Sequence, residues 1–96
     1  TRGAGVKVAV LDTGVNPLHA LLYGRCTQGY NALDPNLPAE EFTDGVRNDV
    51  VGHGTMAASL VAMLAPEADI VPVRVMNGDG VGTGLQVVKG IYFAVA

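Results

Sequence analysis

Apolar residues along this chain fall into two short, Val-rich runs and two longer stretches with helical spacing, separated by glycine-rich or polar connections. Val6-Lys7-Val8-Ala9-Val10-Leu11 is nearly continuous and stops at Asp12-Thr13-Gly14, the pattern of a strand buried on both faces of a parallel sheet. Asn16-Pro17 predicts a turn, Leu18 to Tyr23 about one and a half helical turns, and Cys26 to Asn31 a second, weaker strand. From Ala32 to Asn48 the chain carries Pro35, Pro38, Gly45 and several acids, which predicts a long exposed loop. Gly54 to Leu64 is the clearest helix: Met56, Ala57, Leu60, Val61 and Leu64 recur at steps of three and four before Pro66 stops it. Its small residues, Gly54, Ala57, Ala58 and Ser59, predict a very close approach to a neighbour. Ile70 to Met76 reads as another strand and Asn77 to Gly84 as a glycine-rich turn. Leu85 to Ala96 reads as a helix with Val87, Val88, Ile91 and Val95 on one stripe. Strand, helix, strand, helix implies an α/β fold with a parallel sheet and crossover helices.

Composition narrows the classes. Apolar residues make up 49% of the chain and charged ones 16%, so a charge-solvated disordered chain is excluded. Six basic residues never cluster against nine acids, which speaks against a nucleic-acid partner. No apolar run reaches the roughly 18–20 residues of a membrane span, so no membrane partner is expected. The single cysteine, Cys26, cannot close an internal disulfide, and its ordinary role is that of a small buried hydrophobe. The single serine, Ser59, bears directly on the chemistry.

Asp12 stands at the carboxyl end of the first strand, the edge where open parallel sheets gather functional groups. A carboxylate after an apolar run needs a hydrogen-bonding partner; capping the next turn is its ordinary use. His53 lies at a helix start between Gly52 and Gly54, so its imidazole is expected to project into a cleft; alone, it reads as a surface or capping histidine. Together the two suggest an oriented histidine base, two members of a nucleophile triad. Ser59 cannot be the third. Six residues along the same helix put it about 9 Å up the axis and roughly 240° around it from His53, so helix burial explains it better. Thr13, Thr55 and Thr83 occupy turns or helix starts, where hydroxyls bond backbone. Nothing around Cys26 suggests an activated thiol.

At these residues the chain resembles the subtilisin-like serine peptidases. Val8-Ala9-Val10-Leu11-Asp12-Thr13-Gly14-Val15-Asn16, with His19, Leu21 and Leu22, resembles the segment bearing their catalytic aspartate. Gly52-His53-Gly54-Thr55 resembles their catalytic-histidine motif, and Ala65-Pro66-Glu67-Ala68 leading into Val73-Arg74-Val75-Met76 resembles the strand that follows. Gly80-Val81-Gly82 is similar to the stretch whose backbone borders the substrate cleft, and Gly90-Ile91-Tyr92-Phe93-Ala94 to the next helix. Met56 and Ser59 depart from the family, which often has His and Gly there; both bear on packing rather than chemistry.

The resemblance implies a three-layer, parallel-sheet subtilisin-like fold, of which residues 1–96 form the N-terminal portion. It implies a serine endopeptidase with Asp12 and His53 as catalytic residues, Gly80, Val81 and Gly82 as substrate-binding residues, and a polypeptide substrate. The serine of a Gly-Thr-Ser segment and the oxyanion-hole Asn are expected downstream, as is the remainder of the catalytic domain, and the uncapped final helix fits that expectation. No cofactor is required for the chemistry. Structural calcium is a family habit, but no acid cluster here has ligand spacing. Export follows only from the resemblance.

Three other readings compete. Asp12-Thr13-Gly14 is also the signature of retroviral-type aspartic peptidases, in which two chains each give one Asp, but that fold is nearly all β. A phosphate site at Gly78 to Gly84 fails because the spacing is wrong, no Walker lysine is present, and Asp79 would repel the phosphate. A catalytically inactive fragment or pseudo-peptidase kept for binding is the third, since the chain lacks a nucleophile.

Overall fold

The computed structural model describes residues 2–96. It contains β1 (Lys7–Asp12), β2 (Tyr30–Asn31), α1 (His53–Leu64), β3 (Asp69–Arg74) and α2 (Gly84–Val95). The three strands form one parallel sheet in the order β1-β3-β2, with Lys7 opposite Asp69 and Asp12 opposite Arg74. Side-chain alternation sends Val10 and Ile70 to one face, where they pack with Val15, Leu22, Ala58 and Ala62 beneath α1. Leu11, Val73 and Val75 go to the other face, where a Cβ on Gly90 of α2 would meet all three side chains. Helices on opposite faces of a parallel sheet give the three-layer α/β arrangement expected from the sequence.

The buried face of α1 is its small one: Gly54, Thr55, Ala58, Ser59 and Ala62 are buried, whereas Met56, Leu60, Met63 and Leu64 are exposed. The large-residue stripe thus marked the helix but not the face it buries. Small side chains bring the backbones together, and a Cβ on Gly54 would overlap the Gly14 carbonyl oxygen.

Leu18 to Tyr23 forms hydrogen-bonded turns rather than a helix. The segment is too short to nucleate one well. Side chains also compete for its N–H groups: Leu18 N–H donates to Asn16 Oδ1 and Leu21 N–H to His19 Nδ1.

The strand expected over Cys26 to Asn31 is interrupted. It survives as a bridge at Cys26 opposite Ile70 and as the two residues of β2. Pro72 is the cause. Ile70 and Arg74 accept from Thr27 N–H and Ala32 N–H, so Pro72, on the same alternation, turns its nitrogen toward β2 with no hydrogen to give. Cys26 faces Ile70 and Tyr30 faces Val73, so four steps from Cys26 to Tyr30 span three along β3, a bulge opposite Pro72. Gly29 sits against it so closely that a Cβ would overlap the Pro72 carbonyl oxygen.

The stretch from 32 to 48 is a loop with buried anchors. Ala32 and Ala39 are buried, and Val15 pairs with Glu40 through Val15 N–H to Ala39 O and Glu41 N–H to Val15 O. It therefore crosses the sheet edge beside Asp12 rather than hanging free.

Candidate active site

The carboxyl end of β1 delivers Asp12 and the start of α1 delivers His53. Asp12 is buried; its Oδ1 accepts from Thr13 N–H at 2.7 Å, and its Oδ2 lies 2.8 Å from His53 Nδ1. The aspartate side chain is 11% exposed and the imidazole 53%, so the carboxylate forms the floor and the ring opens to solvent. A carboxylate can only accept, so Nδ1 carries the proton in this contact and Nε2 is left as the basic nitrogen. Asp49, Val50, Val51, Gly52 and Met56 surround His53 in a shallow open pocket.

Gly52 begins α1 with φ 104°, a left-handed conformation suited to glycine, and brings no capping side chain. The first-turn N–H groups are satisfied from elsewhere. His53 N–H donates to Val50 O, Gly54 N–H to Thr13 Oγ1, and Thr55 N–H to Glu41 Oε1. Glu41 also accepts from Gly52 N–H, from the Thr55 hydroxyl and, at 3.2 Å, from the Thr13 hydroxyl. Motif reading missed Glu41 because it arrives from the loop; its signal was a helix start of Gly-His-Gly with no acid in its own first turn.

Arg74, at the end of β3, is fully buried. Its Nε donates to Thr13 O at 2.9 Å, its guanidinium pairs with Asp44 at 2.7 Å, and Phe42 lies below at 5.3 Å. The Arg74 hydrogen bond, with help from Gly78 N–H and against some burial, holds the Asp44 carboxyl below the usual carboxylate range. Asp79 accepts the N–H groups of Val46, Arg47 and Asn48, which likewise lower its pKa. Asp79 therefore ties the glycine-rich turn to the loop that precedes α1.

The turn carrying Gly80, Val81 and Gly82 is closed on itself: Asn77 N–H donates to Val81 O, Gly80 N–H to Asn77 O, and Val81 N–H to Asn77 Oδ1. Gly80 has φ 78° and a Cβ there would meet Val50, while one on Gly82 would overlap the Val75 carbonyl oxygen. Shared packing on Val50 thus brings this turn near the His53 pocket.

Ser59 is accounted for by the helix, its buried hydroxyl donating to Thr55 O at 2.7 Å. Cys26 packs against the core cluster beneath α1, and burial pushes its thiol pKa up against a smaller opposite pull from Arg25. Neither is an activated nucleophile. Among the described residues, no group of three or more His, Cys, Asp or Glu is disposed to hold a metal ion, and no helix is long and apolar enough to cross a membrane.

A profile of the Subtilase family matches residues 3–96. An intracellular serine protease of Paenibacillus polymyxa is 38% identical over 104 aligned positions, covering 99% of this chain and 31% of the relative. Among solved structures, a lanthipeptide protease superposes with TM-score 0.80 at 30% identity, over 98% of this chain and 26% of that one. A cold-adapted subtilisin-like serine proteinase gives TM-score 0.75 at 32% identity, over 97% and 33%. The chain thus spans about a third of the length of the curated relative it matches. The fold is the α/β fold of these proteases, and the nearly all-β aspartic-peptidase reading falls with it.

Proposed function

The chain belongs to the subtilase family, and from that membership we propose that it supplies the aspartate and histidine of an Asp-His-Ser triad in a serine endopeptidase. The observation that carries this reading is the 2.8 Å contact between His53 Nδ1 and Asp12 Oδ2, with the imidazole open to solvent on its other side. The serine, and the rest of the catalytic domain, come from outside these 96 residues.

In this mechanism His53 Nε2 takes the proton of the serine hydroxyl as the oxygen attacks the scissile carbonyl carbon. Asp12 holds the ring in the required tautomer and stabilises the imidazolium that forms. Nε2 then returns the proton to the leaving amine, and a water molecule repeats the sequence on the acyl-enzyme. No metal or other cofactor takes part in these steps. The substrate is an extended polypeptide that pairs with the backbone of Gly80, Val81 and Gly82 as an added strand. Both polar backbone groups of Val81 and the Gly80 N–H are used inside the turn, so the pairing falls to the Gly80 carbonyl and to Gly82. Export is not implied by membership alone, since the Paenibacillus relative carries an intracellular name.

In the full-length protein, H53A and D12A should each lower peptide hydrolysis by several orders of magnitude, the scale of triad losses. Near-parental turnover in either variant would refute the assignment. For the chain alone a second reading is favoured by a specific observation: Ser59 is committed to Thr55 O and Cys26 to the core, so neither the one serine nor the one cysteine is available to His53. The 96 residues should resist labelling by a fluorophosphonate probe. A continuation beyond Ala96 without Gly-Thr-Ser would favour a pseudo-peptidase kept for binding.

A further inference from the structure

Glu41 has no role in the triad reading, yet it touches both sides of the Asp12–His53 pair. Its carboxylate receives two backbone N–H groups and two hydroxyls. Gly52 N–H and the Thr13 hydroxyl reach Oε2; Thr55 N–H and the Thr55 hydroxyl reach Oε1. Thr13 directly follows Asp12, and Gly52 directly precedes His53. The two hydroxyls extend the grip, because Thr13 Oγ1 accepts Gly54 N–H at 3.0 Å and Thr55 Oγ1 accepts Asn16 N–H at 2.8 Å. Every contact between the Asp12 turn and the α1 start in this set either ends on Glu41 or runs through a hydroxyl that donates to it.

Its own backbone is fixed independently. Glu41 N–H donates to Val15 O at 3.1 Å, within the bridge that joins Val15 to Glu40. The carboxylate is therefore delivered by a segment pinned to the chain just after Asp12. Its negative charge sits at the positive end of α1, in whose first turn no acid occurs.

We propose that Glu41 is the positioning residue of the Asp12–His53 pair, setting the start of α1 against the end of β1 so that Nδ1 meets Oδ2. This rests on the triad reading above. Glu41 touches neither Asp12 nor the imidazole by hydrogen bond, so it acts through Thr13, Gly52 and Thr55. Glutamine can keep one accepting oxygen but turns an amide nitrogen toward donors at the other arm; alanine removes all four bonds.

The test compares E41A and E41Q with the parent in the full-length protein, with kcat expressed per site titrated by a fluorophosphonate. The proton NMR signal of the hydrogen between His53 and Asp12 is read alongside. E41A should lower kcat about 10- to 100-fold with KM within about twofold, the scale of misplacing a reacting group by an ångström. Its low-field proton should broaden through solvent exchange. E41Q should fall between E41A and the parent on both measures, and decides the matter should E41A fail to fold. Unchanged kcat per titrated site with an unchanged proton signal overturns the proposal, even where less folded protein is recovered. If the parent itself shows no turnover, the triad reading fails, while the proton signal still decides whether Glu41 holds the pair together.

Discussion

The two helices have equal length and similar apolar content but are held in opposite ways. α2 ends its own exposed first turn: the Thr83 hydroxyl accepts Gln86 N–H, and the Gln86 side chain accepts Thr83 N–H. It then rests on the sheet through Gly90, its only buried residue, while Leu85, Val88, Ile91, Tyr92 and Val95 stay exposed. α1 has no side-chain cap of its own at its start. Thr13 and Glu41 close its N-terminal end, and Arg25, whose guanidinium donates to Ala65 O and Ala68 O, closes the other. A helix with local caps can move as a unit. One capped by remote residues cannot move without breaking the loops that carry them, and that is the helix bearing His53.

Glycine substitutions should separate the two helices most sharply. G54A drives a Cβ into the Gly14 carbonyl, where backbone faces backbone, and should destabilise by about 3 kcal/mol, at the upper end of overpacking penalties. G84A meets nothing and should change stability by a few tenths, in the stabilising direction. Denaturant midpoints measured side by side check this, and equal midpoints would mean that α1 can back away from β1. Cap removal is the next test. R25Q removes a charged donor serving two carbonyls and should lose about 2 kcal/mol, while T83A should lose about 1 kcal/mol. Hydrogen exchange should show the R25Q loss spread over α1 and its loops, and the T83A loss confined to the first turn of α2.

The smallest effect is expected from acid. Asp79 has its folded pKa lowered by three N–H donors, so its contribution is present above the unfolded value of about 3.9 and fades as pH falls through the lower folded value. D79N should therefore reduce stability near neutrality and flatten its decline below about pH 4. Thermal midpoints of both proteins between pH 2 and 7 measure this; parallel curves would mean that Asp79 is not what holds residues 46–48.

Much of the fold was legible because Val-rich runs mark strands and a three-four spacing marks helices, although β1 is only half-buried and the large residues of the helical stripes are mostly exposed. Asp12 and His53 were legible because each stands at the end of such an element. The small residues Gly54, Ala58 and Ser59 likewise signalled the close approach of α1, and they form its buried face. Two features were not legible. The bulge between Cys26 and Tyr30 was hidden because Pro72 acts on the neighbouring segment, not on its own strand. Glu41 and Asp79 were hidden because their partners lie at separations without periodicity: Thr13 is 28 residues from Glu41 and Val46 is 33 from Asp79. Such contacts depend on the path of a loop, which no local pattern encodes.

Pro72 and Gly29 have a consequence for assembly of the sheet. Parallel pairing joins segments distant in sequence, and a strand with few side chains to distinguish its faces is prone to slide. Here one close contact opposes the slide. A residue with a side chain brought opposite the Pro72 carbonyl would collide with it, and along Cys26 to Asn31 only Gly29 has none. The carbonyl of residue 72 therefore favours the alignment that brings Gly29 against it. That alignment puts Asn31 beside Arg74, at the edge where Asp12 waits.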